Sequence, residues 1–267
     1  MKGNQYIAKM LKEYGVSHLF YQDFAMPNTL TEIKRNGIKL VLCKSEFGAA
    51  YMADGYARAA KKPGVVITQA IGSANLAAGL HDAYLAGSPV IAVTDKKANK
   101  WQYRNSYQCS DHKRLFDATC RFNAFCDDPQ EWPRILNQAF REVTTANPGP
   151  AYIDSNGFML NTPLDLADLP DDVHVNKIFA SYPPFRPAAE ESYVKAAAEA
   201  IDKAERPILV VGRGAVISDA SKELYDLAKK ADIPVILTPD GKSIIAEDDD
   251  YFGGIIGMYG MKAPMIP

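Results

Sequence analysis

The strongest constraint in this 267-residue chain is an alternation of two hydrophobic periods. Short apolar runs at 17–21, 38–43, 65–68, 89–94, 121–126 and 151–154 are bounded by Gly, Pro or polar turns, and each reads as a strand. Between them, residues 4–14, 27–36, 46–60, 73–86 and 129–146 carry helical spacing. Strands alternating with helices specify a parallel sheet covered on both faces. The first 157 residues are therefore expected to form an open, doubly wound α/β domain of about six strands. Its strand at 38–43, an apolar run with Lys39 in it, reads as a buried strand. The polar stretch 95–115 is long for a compact domain, and such loops usually carry function.

Residues 158–187 change character. Pro163, Pro170, Pro183, Pro184 and Pro187 fall among acidic residues, which reads as an extended linker. A second α/β pattern occupies 188–267, with helices at 188–204 and 219–230 and strands at 208–212 and 234–238. Two strands make a poor open sheet, so this second, Rossmann-like domain reads as incomplete. Formal charge is −2 with 23% charged residues, which argues against a nucleic-acid or anionic-membrane partner. No signal peptide or membrane-spanning run is visible, and the expectation is a soluble, cytoplasmic protein. The four cysteines lack metal-site spacing, and Cys43 is expected to be a small buried hydrophobe.

Three stretches could carry chemistry. Glu46 follows the second strand, and Ser45 before it is a suitable N-cap, which puts Glu46 in the first helical turn. The helix dipole favours a carboxylate there, whereas burial opposes the charge. A first-turn Glu that merely complements the dipole is the alternative. The small residues at 48–50 and 53–55 let another backbone approach closely, and a second subunit is the expected neighbour. At 68–75 a strand runs through a turn at Gly72 into a helix, whose free N–H groups suit an anion or polar ring. Gly72 could equally serve only the turn. Gly212 and Gly214 follow an apolar strand, yet Ile217 stands where a dinucleotide fingerprint needs its third glycine. Among the four histidines, His112 in the polar loop is the one to watch.

The helix 46–58, EFGAAYMADGYAR, resembles the signature helix of thiamine-diphosphate-dependent 2-oxo-acid enzymes of the acetolactate synthase, pyruvate oxidase and benzoylformate decarboxylase group. The resemblance continues through 62–94, at Tyr107-Gln108, at 147–154 and along 205–249. It implies an N-terminal pyrimidine-binding domain followed by part of a central domain. It further implies that Glu46 hydrogen-bonds the aminopyrimidine ring nitrogen and so activates the thiazolium carbon. Ile71, Gly72 and Asn75 match the loop beside the cofactor, and Gln108 matches the family's active-site glutamine. The implied cofactors are thiamine diphosphate and Mg²⁺, with FAD as a further candidate in the central domain. The implied substrate is a 2-oxo acid or similar ketone, undergoing decarboxylation, carboligation or C–C cleavage.

Three departures accompany the match. Asp23-Phe24 stands where the family has a Pro-Gly loop, Ile71 replaces the loop proline, and Cys109 follows Gln108 where Glu is common. No segment resembles the family's GDG…NN element, which holds Mg²⁺ and the diphosphate. The expectation is thus one part of a lyase or transferase, inactive alone. It would work as a homodimer or homotetramer, or with a partner subunit carrying the diphosphate-binding domain. A non-catalytic binding or regulatory homologue is the alternative, and a nucleotide-binding Rossmann protein a weaker third.

Overall fold

The computed structural model describes residues 1–22, 24–101, 103–157, 162–258 and 260. Two compact units divide the chain, Met1–Pro184 and Phe185–Pro267. In chain order the first holds α1 (Gly3–Glu13), β1 (His18–Tyr21), α2 (Pro27–Arg35), β2 (Lys39–Leu42), α3 (Glu46–Ala60) and β3 (Gly64–Thr68). A 3₁₀ turn, Ala70–Gly72, leads into α4 (Ser73–Ala86) and β4 (Val90–Lys96). Then come α5 (His112–Phe116), β5 (Phe122–Cys126), α6 (Trp132–Thr144), β6 (Ala151–Asn156) and α7 (Pro163–Leu166). The α/β class and the six-stranded parallel sheet agree with the expectation from periodicity.

Strand order is β2-β1-β3-β4-β6-β5, with every pairing parallel. Alternate residues of each central strand feed separate cores, as the two-residue period of a strand requires. Val65, Ile67, Ile91, Val93 and Ile153 pack with α1, α2 and α6 on one face. Val66, Val90, Ala92 and Tyr152 pack with α3, α4 and α5 on the other. This explains why β3 and β4 are buried at every residue and why Val65–Ile67 and Val90–Val93 read as unbroken apolar runs. The run at 38–43 differs from the expectation of a buried strand. β2 lies at the sheet edge, its residues are half-buried or exposed, and Leu42 is 66% exposed. An apolar run alone does not distinguish a central strand from an edge that helices cover incompletely.

Chain direction reverses twice in this sheet. From β1 the chain steps outward to β2 and returns past β1 to β3; from β4 it steps over to β5 and returns to β6. Each reversal sends adjacent crossovers to opposite faces and opens a crevice at the carboxyl ends of the strands, where such sheets bind ligands.

Residues 162–184 of the segment read as a linker belong to the first unit. Thr162 caps α7 through Asp165, Leu164 and Leu169 join the core, and Leu169 N–H donates to the Met1 carbonyl. Apolar residues spaced among the prolines supply that anchoring. The second unit holds α8 (Glu191–Lys203), β7 (Leu209–Val211), α9 (Arg213–Ile217), α10 (Ser221–Ala231), β8 (Val235–Leu237) and β9 (Phe252–Ile255). Its sheet is parallel in the order β7-β8-β9. The sequence reading lacked α9 and β9. The first is five residues long, and the second contains Gly253-Gly254, which masks strand propensity. Gly212 precedes α9 in extended conformation.

Candidate functional site

The first crevice is built from two helix starts. Ser45 is extended, at φ −153° and ψ 158°, and its Oγ accepts from Gly48 N–H at 3.0 Å. That cap fixes Glu46 as the first residue of α3, as the sequence predicts. Glu46 is half-buried, and Asn75 on α4 donates from Nδ2 to its Oε2 at 3.1 Å. Gly72 lies against the same carboxyl group. A Cβ built there would sit 2.5 Å from both Glu46 Cγ and Oε1. Glu46, Gly72 and Asn75, assigned separately from sequence, therefore meet in one place. Ile71 lies beside them on the turn and is 54% exposed.

One positioning residue was missed. Asp95 is wholly buried near the end of β4, and its Oδ1 accepts from Ala70 N–H at 2.8 Å. This bond ties the 3₁₀ turn carrying Gly72 to the next strand. A charge inside a β-strand run was the available signal, since charged residues are rarely buried without a partner. Below the site α3 and α4 approach through small residues. A Cβ on Gly79 would meet Ala50 Cβ at 2.6 Å, and Ala49, Ala50, Ala53 and Ala57 are fully buried. Of the small residues expected to face a second subunit, Ala49, Ala50 and Ala53 are buried inside this unit, whereas a Cβ on Gly55 would meet nothing within 4 Å. Phe47, Tyr51 and Met52 of α3 remain partly exposed.

Gln108 stands apart. Among the described residues it makes no hydrogen bond to Glu46, Gly72 or Asn75; its Nε2 donates to Tyr107 Oη at 3.0 Å. Its backbone is left-handed, at φ +56°, and its Oε1 is buried with no partner among the described residues. Asp23 of the departed Pro-Gly loop lies outside the described residues.

The second crevice holds a polar cluster that the sequence reading touched only at His112. Thr94 pairs with Asp154 across β4 and β6, so Thr94, Lys96, Tyr152 and Asp154 share the face on which α5 packs. Asp154 is fully buried, and its Oδ1 lies 3.1 Å from His112 Nδ1 and accepts from Tyr152 Oη at 3.2 Å. Tyr152 Oη is 2.9 Å from the same ring nitrogen and 2.5 Å from Thr94 Oγ1. Burial first, and then the Asp154 charge, push the Tyr152 phenol well above its ordinary range. Lys96 Nζ reaches Asn99 Oδ1 at 3.2 Å, lies 3.9 Å from Asp154 Oδ2 and sits 4.0 Å from the Phe125 ring centroid. Of these groups, Lys96, Asn99, His112, Phe125 and Asp154 border a cavity of about 600 Å³. Among the described residues, no group of three or more His, Cys, Asp or Glu could hold a metal ion. Among them also, no helix is long and apolar enough to cross a membrane.

Residues 1–115 match the family model described as thiamine pyrophosphate enzyme, N-terminal TPP binding domain. Residues 194–265 match that family's central domain. The chain is 34% identical over 265 residues to a "probable acetolactate synthase large subunit" of Methanocaldococcus jannaschii, covering 98% of this chain and 44% of that protein. It is 31% identical to the acetolactate synthase isozyme 2 large subunit of Escherichia coli K12, covering 98% and 46%. A glyoxylate carboligase of Escherichia coli O157:H7 is 28% identical over 233 residues, covering 84% and 37%. The chain thus spans less than half the length of these relatives.

Proposed function

The chain belongs to the family of thiamine pyrophosphate enzymes, with its N-terminal domain and part of its central domain, and from that premise we propose a role in carboligation of a 2-oxo acid. Glu46 is the residue proposed to engage the aminopyrimidine of thiamine diphosphate. One observation carries this: the Glu46 carboxyl group is held between Asn75 and the bare backbone of Gly72, at the carboxyl end of the sheet. The residues fit a flat, weakly basic ring. Gly72 has no side chain to crowd Oε1, and one carboxylate is available to share a proton with a ring nitrogen.

When bound, the cofactor supplies a thiazolium carbon that stabilises negative charge on a former carbonyl carbon. The chain's own residues do the positioning. Glu46 holds the shared proton at a carboxylate oxygen, Asn75 orients the carboxyl group through Oε2, and Asp95 fixes the turn bearing Ile71 and Gly72. Gln108, with its unpartnered amide oxygen, is proposed as a second polar contact for substrate. The diphosphate and its Mg²⁺ are proposed to be held by polypeptide outside the described residues, within a homo-oligomer or by a partner subunit. The test is Glu46→Gln, assayed for thiamine diphosphate binding and for consumption of pyruvate in the assembled enzyme. The expected result is a loss of turnover of about 100-fold or more with an unchanged circular dichroism spectrum. Near-normal turnover would overturn the assignment.

A further inference from the structure

The second crevice is separate from the first: Glu46, Ile71, Gly72 and Asn75 do not line its cavity. Two buried acceptors lie at its base. Asp154 is an acceptor-only group with no exposure, so the hydrogen on the His112 ring belongs on Nδ1, where Asp154 Oδ1 takes it. His112 Nε2 then presents a lone pair. His112 is 3% exposed, and Nε2 has no hydrogen-bond partner among the described residues. Asp154 Oδ2 has none either, with the Lys96 ammonium 3.9 Å away. Buried polar atoms are nearly always satisfied; the Lys96 ion pair serves Asp154 Oδ2 only at 3.9 Å, so these two acceptors beside a cavity call for a molecule that donates.

The walls narrow its chemistry. Lys96, Lys113 and Arg114 face Asp111, Asp117 and Asp154, three cations against three carboxylates. Lys113 is paired with Asp117 at 3.1 Å and Arg114 with Asp111 at 3.3 Å. A lining already balanced gives an anion or cation no net attraction. Phe125 and Tyr103 add two ring faces against which C–H groups can pack. At about 30 Å³ per water, about 600 Å³ holds about twenty waters or one small organic molecule. We propose that this cavity binds a small, uncharged, polyhydroxylated molecule, with His112 Nε2 and Asp154 Oδ2 accepting two of its hydroxyl hydrogens.

The site stands independently of thiamine diphosphate, so the test uses the 267-residue chain without cofactor. Glycerol, D-ribose and D-glucose are titrated separately and compared with pyruvate and inorganic phosphate, reading the ¹⁵N resonance of His112 Nε2 and the Phe125 amide. The expected result is a saturable shift with at least one hydroxylated probe and none with the two anions. Following the Phe125 amide, His112→Gln weakens binding about tenfold, as loss of a hydrogen bond to a buried polar group predicts. Tyr103→Ala, at a residue 95% exposed, weakens it several-fold without disturbing the core. Saturation by pyruvate or phosphate, or no saturable shift with any of the three hydroxylated probes, overturns the proposal. Either result leaves the Glu46 reading untouched.

Discussion

Replacing Gly72 by Ala tests whether Glu46 is held where it is by contact with that backbone. At φ −71° and ψ −6° the backbone accepts alanine without strain, so the effect must come from the new Cβ. That atom would stand 2.5 Å from Glu46 Oε1 and Cγ and 2.7 Å from Cδ. These are atoms of a flexible side chain, so Glu46 swings away rather than α3 moving. The swing breaks the Asn75–Glu46 hydrogen bond. For a partly exposed bond to a carboxylate that is worth about 1 kcal/mol. A less favoured rotamer adds about 0.5–1 kcal/mol. Against this, Gly→Ala gains about 0.5 kcal/mol by narrowing the unfolded ensemble. The net destabilisation is about 1–1.5 kcal/mol. In a Glu46→Ala background the clashing atoms are gone, and the same substitution should stabilise by about 0.5 kcal/mol. Urea unfolding of the four chains in this cycle should therefore give a coupling of about 1.5–2 kcal/mol. Effects of Gly72→Ala that agree within about 0.5 kcal/mol in the two backgrounds would refute the contact.

Other expectations follow from the same geometry. Gly79→Ala forces α3 and α4 apart and should cost about 2 kcal/mol. Gly55→Ala, on an open part of α3, should instead stabilise by about 0.5–1 kcal/mol, and paired denaturation curves distinguish the two. Burial pushes the Cys120 and Cys126 thiols up to about 12 and raises Cys43 as well. A thiol reagent at mildly alkaline pH should therefore label one cysteine quickly, Cys109, and all four after unfolding; two or more fast thiols would contradict the packing. The Lys2 ammonium, by hydrogen bond and charge, holds Asp168 below the ordinary carboxylate range. Its stabilising contribution is complete above the unfolded value of 3.8 and is lost as pH falls through the lowered folded value. The small difference in urea midpoint between wild type and Asp168→Asn should be present near neutrality and vanish on acidification.

Much of the first unit was legible because each central strand is buried on both faces, so Val65–Ile67 and Val90–Val93 leave no ambiguity of period. Ser45 and Glu46 were legible because a cap and a first-turn carboxylate are local chemistry. The edge position of β2 was not, since it depends on which helices cover the strand. The meeting of Gly72 with Glu46 lay beyond sequence arithmetic, because strands β2 and β3 are not adjacent and β1 stands between them. Asp154 and Tyr152 read as ordinary members of a terminal strand. Only the register with Thr94 and the packing of α5 turn them toward His112.

The alanine contact between α3 and α4 has a thermal consequence. Alanine and glycine have no side-chain torsions to populate, so this interface freezes no rotamers when it forms. Ala50 meeting Gly79 leaves backbone nearly touching backbone, with no long side chain to act as a cushion. The two helices should therefore vibrate as one stiff body, and Glu46 and Asn75 at their starts should move together on warming. A hydrogen bond whose donor and acceptor drift in unison keeps its length. That predicts a working distance set by main-chain packing and nearly independent of temperature until the whole unit melts.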